Sequence, residues 1–240
     1  MAKGIFDRTR LLAGAEGMKK ISDAKVIIFG LGGVGSWVAE CLVRTGFVHL
    51  TIVDSDTVDI TNVNRQMPAT SQTLGEDKTV AVARRLLEIN PEAEILPVKM
   101  FYSADTAGLI DFSEYDYVVD AIDSLKDKAL LIINAAGSRA KLFSSMGAAL
   151  KMDPTRIAVA EFWKVKGCPL ARALRQKFKK NKEFPKKKFL CVYSDELLTN
   201  KEKSEESCNY KVSINGSLCH ITAIFGFTIA GLITQDCIGN

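Results

Sequence analysis

Short apolar runs alternate with helically spaced segments from residue 25 to residue 150, and this alternation predicts the fold. Lys25-Val-Ile-Ile-Phe-Gly30 is a continuous β-branched and aromatic run closed by glycine. A run without polar alternation suits a strand covered on both faces. Gly35 to Thr45 reads as a helix with Gly46 as its stop. Val48 to Val53 predicts a second strand ending at Asp54. Thr79 to Ile89 carries Val80, Val82, Ala83, Leu86 and Leu87 at helical spacing, with Pro91 just beyond. Ile95–Val98, Tyr117–Asp120 and Leu142–Met146 predict three more strands, and Ala129–Ala136 a helix. The sum is an α/β, doubly wound, Rossmann-like and mostly parallel sheet with helices on both faces.

Beyond Pro154 the pattern changes. Ile157 to Phe162 and Phe189 to Ser194 have the composition of strands. Between them, residues 164–188 hold eleven Lys or Arg against one acid, Glu183. Asp195 to Tyr210 is polar and predicts a mobile loop. The longest apolar stretch, Ile221 to Ile233, has 13 residues and includes two threonines and two glycines. A bilayer span needs about 18 or more apolar residues, so this stretch predicts a buried helix and no membrane partner. With no repeat or linker, the chain reads as one unit over 1–240. Residues 1–150 form its core and 151–240 a substrate-facing extension.

Composition narrows the setting. The 240 residues are 47% hydrophobic and 25% charged, with a net charge of +4, the balance of an ordinary globular protein. None of the six cysteines forms a C-x-x-C pair, which argues against a zinc site of paired hooks. Reduced thiols and a polar, mixed-charge start from Met1 to Arg10, unlike a signal peptide, predict a cytoplasmic protein.

Candidate chemistry begins at Gly30-Leu-Gly32-Gly33-Val-Gly35, a G-x-G-x-x-G loop between a predicted strand and helix. Glycines permit the tight turn, let backbone approach a phosphate and let helix pack on strand. The helix N-terminus offers free N–H groups to the phosphates. Asp54 stands 19 residues after Gly35, where an acid accepts hydrogen bonds from ribose hydroxyls. Loop and acid serve NAD and ATP equally well.

The downstream residues separate the two nucleotides. They are Asp54-Ser-Asp56, Asn62-Val-Asn-Arg65-Gln66, Lys78 at a helix start, and Asp120-Ala-Ile-Asp123 at a strand end. Together with the glycine loop, these motifs resemble the E1-type activating enzymes, the group of the ThiF, MoeB and ubiquitin-activating adenylation domains. The resemblance covers residues 5–150. It extends further, through Asp153-Pro-Thr155, Pro169-Leu170 and Phe225-Gly-Phe227, to a branch that dehydrates threonylcarbamoyladenosine in tRNA. It implies a ThiF-type fold that adenylates a carboxylate with ATP and Mg²⁺. Arg65, Lys78 and Asn62 would hold the phosphates, and Asp123 would coordinate the metal. Asp56 would serve as ligand or loop brace, and Asn64 is left without a role. Arg10, with Arg8 as fallback, would reach across a homodimer to the partner's ATP. An NAD-dependent oxidoreductase leaves Arg65, Lys78 and Asp123 unexplained, and a non-catalytic scaffold would be expected to have lost some of them.

Substrate follows from the branch. The threonine carboxylate at position 37 of tRNA would be activated by ATP, and a carbamoyl nitrogen would then close a hydantoin. The basic segment fits tRNA: Lys179, Lys180, Lys186, Lys187 and Lys188 would track phosphates, with Phe178, Phe184 and Phe189 between them. The alternative is adenylation of a small ubiquitin-like sulfur carrier at its C-terminal glycine, and a sulfur-relay partner stays open. Cys168, Cys191, Cys208 and Cys219 are possible nucleophiles with nothing nearby that marks an activated thiolate. His49 reads as structural, and His220 beside Cys219 is a weak thiol–base pair.

Overall fold

The computed structural model describes residues 4–202 and 215–239. Among these described residues seven strands form one sheet in the order β3-β2-β1-β4-β5-β7-β6. They are β1 (Lys25–Phe29), β2 (His49–Asp54), β3 (Glu94–Lys99), β4 (Tyr117–Asp120), β5 (Lys141–Ser145), β6 (Ile157–Glu161) and β7 (Leu190–Ser194). All pairings are parallel except β6 against β7. Among the described residues six α-helices flank the sheet: α1 (Asp7–Asp23), α2 (Gly35–Thr45), α3 (Lys78–Ile89), α4 (Leu125–Gly137), α5 (Pro169–Asn181) and α6 (Cys219–Ile238).

Alternate side chains of each strand feed two cores. Val26 and Ile28 join Leu50 and Ile52 under α1, α2, α3 and α6. Ile27 and Phe29 join Val118 under α4 and α5. The residues after 150 extend this same sheet with β7 and β6, and α6 returns to pack on α2. Gly226 makes that contact close, since a Cβ there would lie 2.7 Å from the Val34 carbonyl. Helix α6 buries Ile221, Phe225, Ile229 and Ile233 at spacing four, the stripe of a core helix.

Three elements differ from the sequence pattern. Helix α1 was not anticipated; it bends at Gly14, whose φ is 71°. Helix α4 starts at Leu125, before Ala129, because Asp127 and Lys128 are buried and not solvated as their charge suggests. The basic run contains α5, whose Ala171, Leu174 and Phe178 face the core. Of the polar stretch 195–210, residues 203–210 lie outside the described residues, as does Cys208.

Candidate functional site

Strand order reverses between β1 and β4, and at such a switch point the loops leaving the two carboxyl ends diverge and open a crevice. A cleft of about 870 Å³ occupies that position. It is lined by Gly30, Gly32 and Gly33 from the β1–α2 loop, Asp54 and Asp56 after β2, and Asn62, Arg65 and Lys78 beyond them. Asp123 lines it from the β4–α4 loop.

Gly30 has φ +86°, and a Cβ there would stand 2.7 Å from the Ala121 carbonyl. Gly35 lies behind the cleft wall. A Cβ there would fall 1.8 Å from the Gly30 carbonyl, so its role is the close packing of α2 on the loop. Asp54 braces the loop, accepting the Leu31 N–H at 2.6 Å and the Asp56 N–H at 2.8 Å, one on each carboxylate oxygen. Each oxygen keeps a second lone pair for a ligand hydroxyl.

Lys78 is buried, and its Nζ pairs with Asp56 Oδ2 at 2.9 Å. Asp56 therefore contacts the cation that faces the cleft rather than only the loop backbone. Asn62 closes a capping box, accepting the Asp59 N–H at 3.1 Å. Arg65 Nη1 donates to the Thr61 carbonyl at 2.8 Å and to Asn64 Oδ1 at 2.9 Å. Trp37 Nε1 donates to the Arg65 carbonyl at 3.1 Å, and Asn64 Nδ2 donates to the Ser217 carbonyl at 2.9 Å. Asn64 thus ties the arginine's loop to the segment leading into α6.

Asp123 is exposed at the rim and, among the described residues, has no hydrogen bond or ion pair. Its loop is held from below by a buried network. Lys128 Nζ lies 2.8 Å from Asp120 Oδ2 and donates to the Ile122 carbonyl at 2.9 Å. Ser144 Oγ donates to Asp120 Oδ2 at 2.6 Å. Burial pushes the Asp120 carboxyl up, against the opposing pull of Lys128. Among the described residues no three His, Cys, Asp or Glu side chains cluster as a metal cage. A lone carboxylate facing a polyphosphate still fits Mg²⁺, which is held by one or two carboxylates plus substrate oxygens.

Three cleft residues had no assigned role in the sequence. Gln66 is buried with its Oε1 unpartnered among the described residues. Lys151 is buried and donates to the Glu196 carbonyl; burial lowers its pKa against the pull of nearby acids. Thr222, at the start of α6, packs against Gly33. Gln66 belongs to the Asn62–Gln66 motif, whereas the contacts of Lys151 and Thr222 join residues far apart in the chain, so local pattern carries no signal for those two.

Other predicted residues lie elsewhere. Arg10 is exposed on the first segment of α1 and does not line the cleft of its own chain. Lys179, Lys180 and Lys186–Lys188 stand at the opposite edge of the sheet. Lys187 Nζ donates to the Ser138 carbonyl, beneath the start of β5. Cys191 is fully buried, and burial raises its thiol well above the ordinary value. Cys168 lines the cleft from a buried position, and Cys219 is exposed. His49 pairs with Glu94 at 2.9 Å at the start of β2, and His220 Nε2 meets the Met152 carbonyl at 3.0 Å.

A glycine loop, an acid after β2 and two cations around one switch-point cleft define a nucleotide-binding α/β protein. The chain belongs to the ThiF family, whose model matches residues 6–237, as the motif resemblance implied. Within that family it is similar to the tRNA threonylcarbamoyladenosine dehydratase of Bacillus subtilis (strain 168). The two are 36% identical over 241 residues, covering 96% of this chain and 93% of that protein. The Escherichia coli (strain K12) protein of the same name is 34% identical, covering 92% and 89%. The crystal structure of the E. coli dehydratase TcdA in complex with ATP superposes with a TM-score of 0.87 at 33% identity. That superposition covers 98% of this chain and 93% of that one.

Proposed function

We propose that this chain is an ATP-dependent tRNA threonylcarbamoyladenosine dehydratase. The observation that carries the reading is one cleft in which the glycine loop, Asp54, Arg65, Lys78 and Asp123 converge. The dehydratases to which the chain is 36% and 34% identical support it.

The chemistry begins with a poor acyl donor, because a carboxylate oxygen leaves badly. Asp54 accepts a ribose hydroxyl, and the glycine loop and the α2 N-terminus cradle phosphate. Arg65 and Lys78 neutralise the charge that grows as pyrophosphate departs, Lys78 turning from Asp56 to the nucleotide. Asn62 adds a donor from the same loop. Asp123 would hold Mg²⁺, which would supply further charge neutralisation as pyrophosphate departs.

The threonine carboxylate attacks the α-phosphorus, giving an acyl adenylate and pyrophosphate. The carbamoyl nitrogen borne by the adenine then attacks the acyl carbon, loses its proton and expels AMP. Of the two carbamoyl nitrogens, only that one closes a five-membered ring. The oxygen of the lost water leaves on AMP. No external nucleophile is required, in keeping with the inert burial of Cys191. The chain acts as one unit in the cytoplasm, where tRNA is found. Two copies pair so that Arg10 of each reaches the other's nucleotide.

The test is to incubate the protein with ATP, Mg²⁺ and tRNA bearing threonylcarbamoyladenosine, then weigh the digested nucleosides. The reading predicts ATP-dependent loss of one water, abolished by Arg65→Ala and by Asp123→Ala. An unchanged nucleoside, with ATP exchanging in the presence of a Gly-Gly-ended protein instead, would replace this substrate while keeping the nucleotide site.

A further inference from the structure

The basic segment carries a feature that the cleft does not use. Its aromatic residues divide into two sets. Phe178 and Phe189 belong to the core, at 2% and 5% exposure. Trp163 and Phe184 are 41% and 49% exposed, and their rings meet on the surface with centroids 6.2 Å apart, tilted by 43°. Leaving two large aromatic faces in water forgoes burial that would stabilise the fold, and such faces mark contact surfaces when charge surrounds them.

Charge does surround them. Lys164 follows Trp163 in the chain, and Lys179, Lys180, Lys182, Lys186 and Lys188 lie within five positions of Phe184, all exposed. Among the described residues none of these lysines is in an ion pair. Glu183 is the only acid between residues 162 and 194. Glu183 beside Phe184 and Glu161, which accepts the Trp163 N–H, are outnumbered by these six lysines, and a net cationic rim around an open aromatic pair suits a polyanion with π faces, which is what a nucleic acid presents.

Position adds the geometry. Pro169 and Leu170, at the start of α5, line the cleft. The helix then runs 13 residues to Asn181, about 20 Å at 1.5 Å per residue. There the chain turns into β7, whose first residue Leu190 pairs with the end of β6 at Glu161. Trp163 follows β6 directly, so Trp163, Phe184 and the lysines share the sheet edge opposite the cleft.

We propose that Trp163, Phe184 and their surrounding lysines form a second RNA contact. It holds tRNA phosphates and stacks one unpaired base about 20 Å from the reacting nucleoside. The inference rests on tRNA being the substrate. It assigns the segment a role in gripping the body of the tRNA, away from the chemistry.

The experiment measures binding of fluorescent tRNA by anisotropy across a salt series. It compares the wild type, Trp163→Ala/Phe184→Ala, and Lys180→Glu/Lys186→Glu/Lys188→Glu. Unchanged ATP affinity serves as the check that both variants are folded. The aromatic variant is expected to bind tRNA roughly tenfold more weakly with the same salt slope, the loss expected for one stacked base. The charge variant is expected to bind more weakly and to flatten the slope by about 1 for each phosphate contact removed. An affinity within about twofold of wild type in either variant would overturn the proposal. Binding is read without turnover. A wild type that binds through this edge but does not dehydrate tRNA would refute the proposed reaction and leave the platform standing.

Discussion

At the scale of single residues, the least obvious contribution to the cleft comes from a side chain outside it. Lys128 and Asp120 are both fully buried and 2.8 Å apart, and together they hold the loop that presents Asp123. Removing one partner of such a pair leaves an uncompensated charge in the core. Lys128→Met is expected to lose about 3–5 kcal/mol of unfolding free energy. The double variant Asp120→Asn/Lys128→Met should recover a large part of it. Urea denaturation measures both; a loss under about 1 kcal/mol for Lys128→Met would mean that the pair does not brace the loop. The residues of the cleft were legible where motif spacing reports them, as at Gly30, Asp54, Arg65, Lys78 and Asp123. Lys128 was not, because a lysine in a polar stretch reads as solvated, and its partner Asp120 is supplied by a neighbouring strand. Lys151 was hidden for the same reason, since its acceptor at Glu196 lies 45 positions away.

At the scale of elements, the strands were easier to read than the helices. The buried parallel strands are continuous apolar runs, and β1, β2, β4 and β5 fall within a residue of their expected ends. Helix α5 was obscured by the charge of its exposed face, although Ala171, Leu174 and Phe178 were present as an apolar stripe. Helix α1 has little apolar periodicity, and its first segment exposes Leu11 at 88% and Leu12 at 92%. That segment, which precedes the bend at Gly14, carries Arg10. Its apolar residues suit burial against a second copy, which would bring Arg10 to the other cleft. Arg10→Ala and Arg65→Ala proteins should each be inactive alone. Mixed after mild dissociation, they should recover part of the activity, because one site of each heterodimer keeps both arginines. No recovery from a mixture shown to exchange subunits would exclude a shared site.

At the scale of the whole molecule, the two proposed tasks fall at opposite ends of the sheet. Its carboxyl edge gathers the nucleotide cleft, and its amino edge carries the exposed aromatic and lysine face, with α5 running from one edge to the other. The alternation of strands and helices announced the sheet. The antiparallel placing of β6 did not show in sequence, because pairing direction depends on where the chain returns and not on local pattern. The proposed reaction turns on one oxygen atom, because in it the carboxylate is joined to AMP before the ring closes. The direct measurement uses tRNA whose threonylcarbamoyl carboxylate carries ¹⁸O, incubated with ATP and the wild-type protein, with the nucleotide products weighed. Adenylation before ring closure puts the label in AMP and none in pyrophosphate or phosphate. Label in inorganic phosphate, or cyclised nucleoside with unlabelled AMP, would contradict it.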